Sequence, residues 1–282
     1  QEEAGLIKSP ELDMQPPLLA RPSKDLRETP EMTLLKSSIL ALALALGATH
    51  SASAANDSVI AGPAVAVASI QSGKVQGFVH NGIYTYRGVP YAKAERFQPP
   101  QAMGKWDNTR LALMYGNICP QVAANPLANF MFSGPHLNQS DDCLNLNVWT
   151  PSISDRKKRP VMVWLHGGGF SGGSSIESYA YDGENLARTG DVVVVSVNHR
   201  LNVMGHLDLS AYGSQYANSA NVGVMDLVAA LQWVKANVAA FGGDADNVTI
   251  FGQSGGGAKV LTLMGTPAAK GLFHKAIEQS GA

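Results

Sequence analysis

Past residue 140 the hydrophobic positions fall into short unbroken runs, separated by stretches with helical spacing. Residues 161–165 and 192–197 are near-continuous apolar segments, the pattern of strands covered on both faces. Residues 181–189 between them read as a helix. Val224, Leu227, Val228, Leu231, Val234, Val238 and Phe241 recur at three- and four-residue spacing. That spacing predicts a long helix with one apolar face, ended by Gly242-Gly243. A strand at 248–251, a short helix over GAKVLTLMG and a strand at 274–279 follow. Upstream, 74–79 and 84–89 read as short strands with an antiparallel start, joined by a loop-rich stretch to 146–149. Alternating strands and helices predict an α/β fold with a mostly parallel central sheet flanked by helices.

The first 55 residues follow a different pattern. Residues 1–31 mix charges with proline and show no sustained period, as expected of an unstructured upstream or untranslated extension. Met32-Thr33-Leu34-Leu35-Lys36 resembles a start with a basic leader. An apolar core over 37–48 and the small residues Ser53-Ala54-Ala55 complete a signal peptide at 32–55, cleaved after Ala55. An N-terminal anchor helix or a buried helix is the alternative. The folded part is then 56–282, secreted or periplasmic.

Composition supports an exported globular protein. Hydrophobic residues make up 45% and the net charge is −1, enough apolar material for a core and no electrostatic reason to bind nucleic acid. No later apolar run is expected to reach membrane-spanning length, so no stable membrane insertion is expected. The two cysteines, Cys119 and Cys143, both follow the leader. In an oxidising compartment they could close a loop worth roughly 3 kcal/mol. Without nearby histidines they fall short of a four-ligand zinc site. No metal and no cofactor is expected.

The candidate chemistry lies in Val248-Thr249-Ile250-Phe251-Gly252-Gln253-Ser254-Gly255-Gly256-Gly257. A β-branched run, a serine among glycines and a helical pattern form the context in which G-x-S-x-G becomes a nucleophile elbow. The regular expression alone is weak, because with 29 glycines about 0.2 chance matches are expected. Gly169-Phe170-Ser171-Gly172-Gly173 also fits it, but Ser171 lies six residues past its strand, inside a glycine loop. Ser254 is therefore the expected nucleophile. The run His166-Gly167-Gly168-Gly169-Phe170 leaves amide N–H groups unobstructed. Gly168, Gly169 and Gly255 are the expected oxyanion-hole donors.

These residues, with others, carry a resemblance. The chain is similar to the type B carboxylesterase family of α/β-hydrolases, which includes bacterial carboxylesterases and cholinesterases. The similarity runs from about Gly73 to Ala282. It takes in Tyr86-Arg87-Gly88-Val89-Pro90-Tyr91-Ala92, Asp142-Cys143-Leu144-Asn145-Leu146-Asn147-Val148-Trp149, the glycine loop, Asn198-His199-Arg200, Asn221-Val222-Gly223 with Asp226, Phe241-Gly242-Gly243-Asp244, the serine motif and Gln279-Ser280-Gly281. The resemblance implies an α/β-hydrolase fold and a serine carboxylic-ester hydrolase acting through an acyl-enzyme on a small-molecule ester. It also implies a Cys119–Cys143 disulfide and a supporting role for Ser280 behind the catalytic groups. A non-catalytic, cholinesterase-like adhesion or binding module is the alternative. Amide or carbamate hydrolysis would share the same intermediate.

In this fold the acid and the histidine follow the serine in the chain. Only 28 residues follow Ser254, so the domain is expected to be truncated after the strand that follows the nucleophile helix. By order, none of His50, His80, His136, His166, His199, His206 and His274 is the expected base. His166 is expected to brace the glycine loop. The 282 residues alone are thus expected to show negligible esterase activity and to be insoluble or partly folded. Asp226 precedes the serine and is expected to anchor its helix through a salt bridge or hydrogen bond. Phe170 and Tyr179 are pocket candidates. Substrate identity and oligomeric state stay open.

Overall fold

The computed structural model describes residues 58–122, 135 and 138–281, all within the unit that runs from Ala55 to Ala282. The expected extension at 1–31, the signal peptide at 32–55, His50 and His136 lie outside the described residues.

Eight strands form the main sheet: β1 (Val59–Ile60), β2 (Phe78–His80), β3 (Ile83–Pro90), β4 (Asn145–Thr150), β5 (Arg159–Leu165), β6 (Val193–Val197), β7 (Gly243–Gln253) and β8 (Lys275–Gln279). Their order across the sheet is β1-β2-β3-β4-β6-β5-β7-β8. Pairing is antiparallel from β1 through β4 to β6. It is parallel for β6-β5, β5-β7 and β7-β8. The antiparallel start is as expected, but with four antiparallel and three parallel pairings the sheet is mixed rather than mostly parallel, and its parallel part holds the long apolar runs. A three-stranded sheet (Val67–Ile70, Gly73–Gln76, Arg110–Leu111) and a two-stranded one (Ala92–Lys93, Gln101–Ala102) lie apart from it.

Among the described residues four α-helices accompany the strands: α1 (Glu184–Gly190), α2 (Asn202–His206), α3 (Val222–Asn237) and α4 (Gly255–Met264). Alternate side chains of β6 serve two cores, as the two-residue period of a strand requires. Val193, Val195 and Val197 join the cluster that contains Leu227, Leu231 and Val234 of α3 and Val260 of α4. Val194 packs with Trp149 and with Ala187 of α1. One face of the sheet is thus covered by α1 and the other by α3 and α4. Strand β8 is exposed along its whole length.

Several expected boundaries shift, each for a local reason. The single strand expected at 74–79 is divided at Gly77, with each half in a different sheet. A Cβ there would lie 2.1 Å from the Thr85 carbonyl oxygen, so only glycine permits the crossing. The helix expected from 181 begins at Glu184, after a 3₁₀ turn at Tyr179–Tyr181. The Asp182 carboxylate accepts from the Glu184 N–H at 2.9 Å and so starts the helix there. Strand β7 begins at Gly243 rather than 248, with an irregularity opposite Arg159 and Val161.

Helix α3 is buried more widely than one face. Ala230 and Trp233 are buried along with the expected positions, whereas Val224 is only half-buried. It continues as a 3₁₀ turn, Val238–Phe241, capped by Gly242 in the left-handed region. By length and composition the helical stretch Ser214–Phe241 could cross a membrane, which corrects the expectation that no later run would. Its apolar length packs the core, and the buried Asp226 sits within it. Asp226 accepts from Arg200 at 2.7 and 2.8 Å through side-chain nitrogens and at 3.0 Å from the backbone N–H. The anchoring role expected of Asp226 is what the fold contains.

The Cys119–Cys143 disulfide is present, with Cα atoms 5.0 Å apart and 24 residues of separation. Strand β4 follows directly, and its asparagines account for their burial by pairing. Asn147 donates to the hydroxyls of Ser196 and Ser175 at 3.0 and 3.1 Å. Asn198 accepts from the Ser175 N–H at 2.8 Å. Satisfied polar groups of this kind fix one register in an otherwise apolar sheet.

Candidate active site

The parallel register pairs Leu165 of β5 with Gly252 of β7. Both chains therefore leave the sheet side by side at the C-terminal edge, where open α/β sheets bind ligands. One becomes His166 and the glycine loop; the other becomes Ser254.

Ser254 has φ 55° and ψ −125°, a sparsely populated conformation that costs on the order of 1–3 kcal/mol. Neighbouring bonds hold it there. Its N–H donates to the Gln279 carbonyl of β8 at 2.8 Å, and its carbonyl accepts from Ala258 at 3.1 Å. Ser254 is half-buried and its side chain forms no cap bond to α4. The hydroxyl is thus left at the positive end of the helix dipole. Ser171, by contrast, is exposed in a turn and donates its N–H to the Gly168 carbonyl at 3.2 Å.

The glycine loop packs directly against this elbow. Gly168 and Gly169 adopt φ 76° and 61°, a left-handed pair that L side chains rarely tolerate. A Cβ on Gly255 would lie 2.3 Å from the Gly169 nitrogen, and one on Gly167 would lie 3.7 Å from the Ser254 Cβ. Gly168 and Gly169 are exposed. Among the described residues neither of their amide N–H groups has a backbone partner. The loop that carries the expected donors Gly168 and Gly169 is therefore packed against Ser254 and the third expected donor, Gly255.

Behind the loop lies a buried basic cluster. His166 is fully buried; its Nδ1 lies 3.0 Å from the Gly167 carbonyl oxygen, and its ring stacks on His199 at 5.1 Å. Burial, reinforced by the nearby Lys259 ammonium, holds both imidazoles well below their ordinary range, so they are neutral near pH 7. Phe170 packs edge-on against His206 at 5.3 Å. Lys259, on the second turn of α4, is fully buried and donates to the carbonyl oxygens of His166 at 2.8 Å and Gly167 at 3.3 Å. Its ammonium stands 5.6 Å from the centre of the Phe170 ring. Burial pulls it down to about 7, against the pull of the Glu177 carboxylate. Lys259 was not among the residues expected from sequence. The available signal was a lone charge in the apolar stretch between Asp246 and Lys270.

The other candidates fall in different places. Ser280 is exposed with φ 55°, one residue beyond the Gln279 carbonyl that holds the Ser254 amide. Tyr179 is 68% exposed, too open to wall a pocket among the described residues. His80 pairs with Glu184 of α1. The Nδ1 of His274 accepts from the Val248 N–H at 3.1 Å, six strand positions or about 20 Å before Ser254. Among the described residues no histidine is hydrogen-bonded to Ser254.

An elbow serine, a facing glycine loop and this sheet order define an α/β-hydrolase. Comparison with known proteins makes that more specific. The carboxylesterase family model matches residues 64–282, and the chain belongs to that family. It is 45% identical over 221 residues to the para-nitrobenzyl esterase of Bacillus subtilis, covering 77% of this chain and 44% of that protein. It is 39% identical to mouse cholinesterase, covering 76% and 37%. Among solved structures, an esterase from Clostridium hathewayi described as hydrolysing aliphatic aromatic polyesters superposes with a TM-score of 0.75 at 53% identity, covering 78% of this chain and 44% of that one. A Geobacillus stearothermophilus carboxylesterase superposes with a TM-score of 0.69 at 44% identity, over 77% and 44%. The chain spans less than half the length of these relatives.

Proposed function

We propose that this chain supplies the nucleophile and oxyanion hole of a serine carboxylic-ester hydrolase. The observation that carries the reading is the strained Ser254 packed against the glycine loop, where among the described residues the Gly168 and Gly169 amides have no backbone partner. Ser254 Oγ attacks the ester carbonyl of a small-molecule substrate, and the carbonyl oxygen becomes an oxyanion facing Gly168, Gly169 and Gly255. Collapse expels the alcohol and leaves an acyl-serine, which water cleaves to the carboxylate. A histidine and an acidic residue outside these 282 residues act as general base and its orienting partner. Ser280, next to the elbow, is proposed to support that pair. Because among the described residues no histidine is hydrogen-bonded to Ser254, the 282 residues alone are expected to turn over negligibly. The leader-like 32–55 segment and the Cys119–Cys143 bridge support export, secreted or periplasmic.

The test uses the full-length polypeptide that carries this chain. Hydrolysis of a short-chain nitrophenyl ester and labelling by a fluorophosphonate should both be lost in Ser254→Ala. Hydrolysis that persists in Ser254→Ala would place the nucleophile elsewhere. Absence of both in the unaltered protein would favour a binding module that keeps the fold without chemistry.

A further inference from the structure

We propose that Lys259 is a positioning residue that aims the Gly168 amide of the oxyanion hole from behind the loop. The inference rests on the esterase reading above and adds a residue to it.

Side chains on an α-helix lean toward its N-terminus, and the first turn of α4 is Gly255-Gly256-Gly257-Ala258. No bulky side chain blocks the path, so the Lys259 stem runs back along the helix to the loop, and Nζ reaches the carbonyl oxygens of His166 and Gly167. A peptide unit is planar and trans, so its C=O and the N–H of the next residue point in opposite directions. Holding the Gly167 carbonyl on the buried side turns the Gly168 N–H outward. Holding the His166 carbonyl does the same for the Gly167 N–H.

The loop needs such a brace. Gly167 and Gly168 have wide conformational freedom, and a flip of the peptide between them would replace the Gly168 donor with an acceptor. The local bonds Ser171 N–H and Gly172 N–H to the Gly168 carbonyl, both at 3.2 Å, fix the next peptide plane but not this one. His166 Nδ1 approaches the Gly167 carbonyl from the side at 3.0 Å. Lys259 reaches both carbonyls from a single atom. A buried ammonium is an expensive way to fill a core position, and the two carbonyls, the Phe170 ring and the Glu177 carboxylate are what compensate it here.

The test is Lys259→Met in the full-length polypeptide, with kcat expressed per serine titrated by fluorophosphonate. Normalising in this way removes the effect of any misfolded fraction. The expected result is a fall in kcat of roughly 10- to 100-fold, smaller than the loss of a whole donor, with KM nearly unchanged. Affinity for a boronic acid, which forms a tetrahedral adduct on the serine, should fall by the same factor. Lys259→Gln keeps one N–H donor and should fall between the two. It also replaces Lys259→Met if that variant is insoluble. Normalised kcat and boronate affinity within twofold of the unaltered protein, in whichever variant folds, would overturn the inference while leaving the esterase reading intact. Unaltered protein with no Ser254-dependent hydrolysis would end both.

Discussion

The burial of Lys259 makes a quantitative statement about stability and pH. Its ammonium titrates near 10.5 in an unfolded chain and at about 7 in the folded one. Between those values the unfolded chain binds more protons, so stability rises with pH by up to about 1.4 kcal/mol per unit. Integrated from pH 7 to pH 9, this group alone adds about 2.3 kcal/mol; below pH 7 its penalty is constant and complete. Lys259→Met abolishes that dependence. Other groups do not mimic it. The imidazoles of His166 and His199 stay neutral across this window in the folded chain, so their slope, of the same sign, lies at and below the ordinary imidazole range and fades above pH 7. Glu177, pushed up by burial, gives a slope of opposite sign that begins at the ordinary carboxylate range.

The measurement is urea unfolding of the unaltered full-length protein and of Lys259→Met at pH 7, 8 and 9, followed by tryptophan fluorescence. The slope m must be the same in all cases so that free energies can be compared. The absolute difference between the two proteins also contains the lost hydrogen bonds, so the change in that difference with pH is the quantity that tests the argument. It should move by about 2 kcal/mol in favour of the lysine protein from pH 7 to pH 9. A difference constant to within about 0.5 kcal/mol would show that the ammonium is already neutral or well hydrated at pH 7, and would refute the reasoning.

Three further outcomes follow from other parts of the molecule. Asp226→Asn leaves the buried Arg200 guanidinium without its counter-charge and should cost about 3–5 kcal/mol in denaturant unfolding; a loss under about 1 kcal/mol would mean the pair is hydrated. In Gly256→Ala the new Cβ would lie 2.0 Å from the Leu165 carbonyl oxygen. The loop and α4 must then part by about an ångström, so labelling of Ser254 by fluorophosphonate should slow roughly 10²-fold; an unchanged rate would show that the two move together. Replacing Cys119 and Cys143 by serine should lower stability by about 3.5 kcal/mol on the loop-entropy model, measured against the oxidised protein in the same denaturant.

How much of this was legible in the sequence depends on how local each feature is. The runs at 161–165 and 192–197 specify strands because short, unbroken apolar segments rich in valine suit a sheet covered on both faces. Ser254 was legible because its glycines, its preceding strand and its following helix are contiguous in the chain. Asp226 was legible as an anchor from its place on a helix before the serine, although its partner Arg200 lies 26 positions away. The break at Gly77 was not, since it is imposed by the Thr85 carbonyl of a neighbouring strand. Nor was the role of Lys259, because a single lysine on a short helix ordinarily marks the solvated side. What reverses that expectation is the three glycines before it. They leave room along the helix for a long side chain to run back toward the N-terminus, and the residue waiting there is the carbonyl of a loop whose amides must face the other way. Read together, a glycine-rich first turn and a lysine five residues after the serine are one feature, and each accounts for the presence of the other.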